Sequence, residues 1–266
     1  MVVDESRRPG EPIPTIELLG VRFARLEAPA VLDEIERLYE RDEPALVFHA
    51  NAHTLNLATE DLSYRAVLRR ADMVLNDGKG VLLGARLKGS SLPADLNGNY
   101  VGPLLLERAA RRGWPVFLLG ARPGVARRAA DELVRRRPGL RVAGTRDGYF
   151  TAAEESHVVS QIRASGAGLL LAGLGNPRQE RWLERCLEGT GARLGVGVGA
   201  FIDFQAGEIA RAPAWMNRAG LEWVHRLGLD PRRMWRRYLL GNPLFLARAL
   251  GDRRASRRGG IGPRSL

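Results

Sequence analysis

The stretch Met73–Gly80, MVLNDGKG, runs apolar residues into a carboxylate set between glycines. A carboxylate presented at the end of a buried strand can take a proton from a hydroxyl, so Asp77 is a candidate general base. Asp-Gly is also a common turn pair, and that reading stands beside the catalytic one. Lys79 could neutralise a phosphate, or be an ordinary surface cation. A second stretch, LGARPGVARR (119–128), sets Gly120 and Gly124 between an apolar run and a helix start. The free N–H groups of a helix N-terminus bind phosphate, although a plain tight turn fits equally well. The stretch lacks a Walker loop and the full dinucleotide fingerprint. In GLGNPRQERW (173–182), Asn176, Gln179 and Glu180 gather at another helix start. The Gln179 amide can donate and accept at once, as a uracil edge or a sugar hydroxyl requires, and a helix cap is the alternative. His49 and His53 have i, i+4 spacing, but they straddle a strand–helix junction with no cysteine or carboxylate to complete a ligand set. No metal site is expected. Cys186 is the only cysteine, which excludes an internal disulfide and fits a reducing compartment.

These residues need elements to hold them. PALVFHAN (44–51) reads as a strand ending at Asn51, and 52–71 reads as one helix with apolar residues near 3.6 spacing. Strands follow at 72–76, 115–120, 141–145, 168–175 and 192–200. Helices follow at 80–89, 101–113, 124–138, 151–165 and 178–189, with Thr151 and Glu154 forming a capping box. Such alternation predicts a Rossmann-like α/β fold, a mostly parallel sheet with helices on both faces. Ligands of such sheets bind beyond the carboxyl ends of the strands. Asn51, Asp77, the 120–124 turn, 175–180 and Asp203 all fall there.

The chain is expected to divide into a flexible leader (1–11), an α/β core (12–205), a helical appendage rich in Arg and Trp (206–250) and a disordered basic tail (251–266). Of the eleven net positive charges, nine fall in residues 205–266, where thirteen arginines face four acids. A basic segment attracts polyanions: anionic lipid, phosphorylated ligands or nucleic acid. Arginine forks suit diphosphates and tryptophans suit a membrane interface, so 231–250 could lie on a bilayer as a basic amphipathic helix. No apolar run approaches the roughly 18 residues of a membrane-spanning helix, and the N-terminus shows no signal-peptide core. Charge alone leaves a basic nucleic-acid-binding α/β protein as the alternative function. A nicotinamide-dependent oxidoreductase would need a Gly-x-Gly-x-x-Gly in the first βα unit, and there is none.

The ordered series NAHTLNLA, ADMVLNDGKGV, VFLLGARPGV, GLGNPRQERW, GAFIDFQAGEIARAP and GLEWVHRLGLDPRRMWRRYL resembles the WecG/TagA/CpsF glycosyltransferases (glycosyltransferase family 26) over roughly residues 15–247. The resemblance implies an inverting, metal-independent transfer of a sugar from a UDP-sugar to a polyprenyl-diphosphate-linked saccharide. The products of such transfers feed teichoic acid, common antigen, capsule or exopolysaccharide. It implies no cofactor, a cytoplasmic protein peripheral to the membrane, and a C-terminal appendage that touches an anionic surface and helps complete the site. Self-association that covers apolar surface is expected; nucleic acid is not expected as a partner. By the same resemblance, Asp77 is the base for the acceptor hydroxyl. Asn51, His49, Lys79, Gly120, Gly124, Asn176, Gln179, Glu180 and Asp203 are substrate-binding candidates. Arg211, Arg226, Arg233 and Arg237 would offset the diphosphate charge. Three positions depart from the family pattern. His49 replaces a common threonine, Asp95 falls where an arginine is common, and Tyr100 falls where an aspartate is usual.

Overall fold

The computed structural model describes residues 11–210, 212–213, 215–216 and 222–259. Six parallel strands form the central sheet: β3 (Ala45–Ala50), β4 (Met73–Asn76), β5 (Val116–Gly120), β6 (Val142–Arg146), β7 (Leu169–Gly173) and β8 (Leu194–Gly197). Their order is β4-β3-β8-β7-β5-β6. In β3, Ala45 and Val47 enter one apolar layer while Phe48 and Ala50 enter the other, because successive side chains alternate faces. Helices α1 (Ala28–Glu40), α5 (Gly98–Arg112) and α6 (Val125–Arg136) cover the first face. Helices α2 (Ala52–Glu60), α3 (Leu62–Arg70), α4 (Lys79–Lys88), α7 (Glu155–Ser165) and α8 (Arg178–Thr190) cover the second. The expected Rossmann-like α/β sheet with two covered faces is what the chain forms.

A hairpin of β1 (Thr15–Leu18) and β2 (Val21–Ala24) precedes α1 and buries Leu18, Val21 and Phe23. The expected single helix over 52–71 is two helices. Asp61 breaks it, because its carboxylate accepts from Tyr64 N–H at 2.9 Å and so starts α3. The expected cap before α7 is present, with Thr151 N–H donating to Glu154 at 2.8 Å.

After α9 (Phe201–Gln205), the C-terminal part contains α10 (Glu222–Leu229), α11 (Pro231–Trp235), a π-helical turn (Arg236–Leu240) and α12 (Gly241–Gly259). Helix α12 lies on α2 and α4. Phe245 is fully buried in the space left by Gly84, where an added Cβ would stand 2.4 Å from its ring. Asp252 ties this helix to Lys88 at 2.8 Å and to Leu19 N–H at 3.0 Å. The last helix therefore runs on past residue 250, where the basic tail is expected to begin, and its contacts reach Asp252. The side chains of Phe245, Ala249 and Asp252 fall on one helical stripe and carry the docking past residue 250.

Candidate active site

Strand β3 ends at Ala50, and Asn51 caps α2. Its side-chain oxygen accepts from His53 N–H at 3.0 Å and Thr54 N–H at 3.1 Å. This fixes which way the amide points, and Nδ2 then donates to Asp77 Oδ2 at 3.0 Å. Asp77 N–H in turn donates to Ala50 O at 3.0 Å, so the neighbouring parallel strand holds the backbone of the candidate base. The turn after β4 is held from below as well. Asn76, fully buried, donates to Ala94 O at 2.8 Å, and Gly78 N–H donates to Asp95 Oδ1 at 2.9 Å. Burial, and then the charge of Asp77, push the Asp95 carboxyl above its ordinary range, while the Gly78 N–H pulls the other way.

His49 lies two residues before Asn51 and is buried. Its Nδ1 lies 3.1 Å from Gly197 O, and its Nε2 is buried without a partner. Burial lowers its pKa, against the opposing pull of Asp77 and Asp95. His53, one turn into α2, is lowered to about 4 by burial and then by the Arg237 charge. The Arg237 guanidinium lies 5.7 Å from the Tyr238 ring centre. Arg226 stacks over Phe204 at 4.9 Å and ties α10 to α9, the helix that carries Asp203. Arg211 lies outside the described residues, as does the side chain of Arg233. Lys79 is exposed at the start of α4.

Gln179 and Glu180, expected as substrate-binding residues, are both buried and bonded within the protein. Gln179 Oε1 accepts from Gly199 N–H at 3.1 Å, and its Nε2 donates to Glu180 Oε1 at 2.7 Å. Asn176 donates to the same Glu180 oxygen at 2.7 Å. Burial pushes the Glu180 carboxyl up to about 7 despite these donors. The trio locks the loop after β8 to the start of α8, because facing glycines leave room for it: Gly197 lies directly under the Gln179 amide. The Gly120–Gly124 turn does occupy the same rim. Gly120 sits at φ 145° with Gly173 O 2.5 Å from where a Cβ would be, so no other residue fits. Three strand spacings separate β5 from β3, about 14 Å across the sheet. One hydroxyl-sized group cannot touch both the turn and Asp77. Among the described residues, no three His, Cys, Asp or Glu side chains are placed to hold a metal ion.

A parallel α/β sheet with an amide-clamped carboxylate at its carboxyl rim defines a doubly wound protein of the kind that binds ligands at its strand ends. The model of the glycosyl transferase WecG/TagA/CpsF family matches residues 16–259, and the chain belongs to that family. It is 31% identical over 235 residues to the N-acetylglucosaminyldiphosphoundecaprenol N-acetyl-beta-D-mannosaminyltransferase of Bacillus spizizenii, covering 88% of this chain and 90% of that one.

The sequence pointed to Asp77 and Asn51 directly but gave no sign of the Asn51–Asp77 bond. It also missed Tyr64, a buried α3 residue whose hydroxyl lies 3.4 Å from Asn176 Nδ2. Nothing in its local sequence distinguishes it from an ordinary core aromatic.

Proposed function

We propose that this glycosyltransferase moves a sugar, with inversion, from a UDP-sugar to a polyprenyl-diphosphate-linked saccharide for cell-surface polysaccharide synthesis, working at the inner face of the cell membrane. The observation that carries the proposal is the Asn51–Asp77 hydrogen bond at 3.0 Å on the carboxyl rim. It holds Oδ2 and leaves Oδ1 to meet a substrate hydroxyl. The likeness to the Bacillus spizizenii enzyme, whose name specifies a diphosphoundecaprenol-linked acceptor, supports the lipid-linked acceptor.

In the proposed step, the acceptor oxygen bonds to the anomeric carbon as the bond from that carbon to the UDP oxygen breaks. Asp77 takes the hydroxyl proton, and UDP leaves with the electron pair. No metal or cofactor is invoked. The leaving charge falls to Arg237 and to the other appendage arginines. Asn51 is a positioning residue.

The test is Asp77→Asn in a transfer assay that supplies UDP-N-acetylhexosamines and a lipid-linked N-acetylhexosamine. General-base catalysis contributes roughly 10²–10⁴-fold, so the rate should fall by at least about a hundredfold, with UDP-sugar binding retained. Turnover within a few-fold of the parent chain would refute the assignment.

A further inference from the structure

The candidate base follows an edge strand. β4 is the last strand of the sheet and pairs with β3 alone. On the β3 side the base is held twice: Asp77 N–H donates to Ala50 O at 3.0 Å, and Asn51 Nδ2 holds Oδ2 at 3.0 Å. Beyond β4 no further strand of the sheet supplies a ladder, and the segment 94–97 takes up the turn instead. Asn76, just before the base, donates to Ala94 O at 2.8 Å. Gly78, just after it, donates its N–H to Asp95 Oδ1 at 2.9 Å.

Gly78 is the weak point of this turn. It sits at φ 97° and ψ 154°, a region open to glycine and strained for any residue with a Cβ. A glycine is also free to leave it. With no partner for its N–H, the peptide plane between Asp77 and Gly78 can rotate, and the carboxylate turns with it. Asp95 supplies that partner, and Asp95 is itself fixed. It accepts from the backbone and side chain of Asn97. Asn97 caps α5 by accepting from Tyr100 N–H at 3.1 Å, and Leu96 between them is fully buried. One turn into α5, Gly102 leaves room for the Phe201 ring, 2.6 Å from where its Cβ would stand, so the helix start is keyed to α9.

Resting on the sugar-transfer reading above, we propose that Asp95 is a positioning residue for that transfer: its bond to Gly78 N–H sets the direction in which Asp77 Oδ1 meets the acceptor hydroxyl. Asn51 fixes one oxygen of the base, and Asp95 fixes the backbone that carries it. Neither needs to touch substrate. Misplacing a reacting group by about 1 Å costs on the order of a hundredfold in rate, so the loss of this bond belongs in kcat and not in KM.

The experiment is steady-state kinetics in the transfer assay above, on variants whose folding is checked by thermal unfolding, with Asp77→Asn run alongside. Asp95→Ala should lower kcat about thirtyfold, with KM for both substrates changed by less than about threefold. Asp95→Asn, which keeps an oxygen for Gly78 N–H, should recover kcat to within about fivefold of the parent. Gly78→Ala reads the same turn from the other partner. Its Cβ would meet no atom within 4 Å, so its effect is one of backbone conformation, and kcat should fall at least about tenfold at an unchanged KM. The Asn and Gly78→Ala results decide the matter if Asp95→Ala does not fold. Parental kcat in a folded Asp95→Ala or Gly78→Ala protein would overturn the inference. So would a raised KM with kcat intact, which would make Asp95 a substrate contact, or an Asn variant as slow as the Ala one. If Asp77→Asn itself stays active, the transfer reading falls and this inference with it; if Asp77→Asn is dead while Asp95→Ala keeps parental kcat, this inference alone falls.

Discussion

Asn51 shows how much one amide can fix. Its oxygen is taken by two N–H groups of α2, so the nitrogen has one direction left, and Asp77 lies in it. Glu180 shows the reverse case, a carboxyl whose surroundings favour the proton. Its pKa in the folded chain is about 7, against an ordinary value of 4.5. Between those values the folded chain holds a proton that the unfolded chain has released, so this group makes stability fall as pH rises from about 4.5 to about 7. The size is on the order of 3 kcal/mol at most. His53, lowered to about 4, acts oppositely between about 4 and 6.5, so a single pH scan would mix the two. Glu180→Gln keeps the shape and removes the titration. Urea unfolding of both proteins at pH 5, 6, 7 and 8 should show the Gln variant gaining on the parent as pH rises. Parallel curves would mean that Glu180 is ionised throughout. The sequence marked Asn51, Asp77 and Gln179 as polar residues at strand ends and a helix start. It could not say that Gln179 spends both ends of its amide on Gly199 and Glu180, because those partners are set by how α8 crosses β8.

At the scale of elements, the strands and most helices were legible because buried parallel strands are nearly continuous apolar runs. The hairpin β1–β2 left no such signal. Its strands are four residues each and alternate with exposed Thr15, Glu17 and Arg22. The break at Asp61 was hidden because apolar spacing carries across it, while the cap depends on one carboxylate and its ion pair with Arg181. The docking of α12 was out of reach of local pattern, since Gly84 and Phe245 lie far apart in sequence. That contact yields a prediction. Removing a buried phenyl ring costs about 3–5 kcal/mol. Phe245→Ala should therefore loosen α12 from α4 and α2, giving protease cleavage within 241–259 while the core stays folded. Transfer activity should fall with it, because Arg237 is carried just ahead of that helix. Equal protease resistance in variant and parent would show that the helix is held elsewhere.

For the molecule as a whole, the appendage combines two surface properties. Leu239, Leu240, Leu244 and Leu250 are exposed, as are Trp215 and Trp235, and the exposed arginines Arg232 and Arg236 sit among them. Among the described residues no helix is long and apolar enough to cross a membrane. Attachment to an anionic lipid surface, or self-association, would cover these leucines, and the two make different predictions. In sedimentation with vesicles containing anionic lipid, the protein should pellet, less so as salt rises, and Leu239→Glu with Leu240→Glu should cut binding by several-fold. Binding that ignores both salt and these substitutions would refute a lipid-facing role. A concentration-dependent mass in solution, lost in the double variant, would favour self-association instead.

Helix α2 is nine residues long, and both of its ends are committed. At its first turn Asn51 sets the aim of the candidate base. Farther along, Asn56 and Glu60 grip Gly241 and Arg248 of α12. A rod so short cannot bend between its two loads. Any tilt imposed on the distal helix therefore reaches the carboxylate as a change of direction, and mutations that reseat one end will be felt at the other.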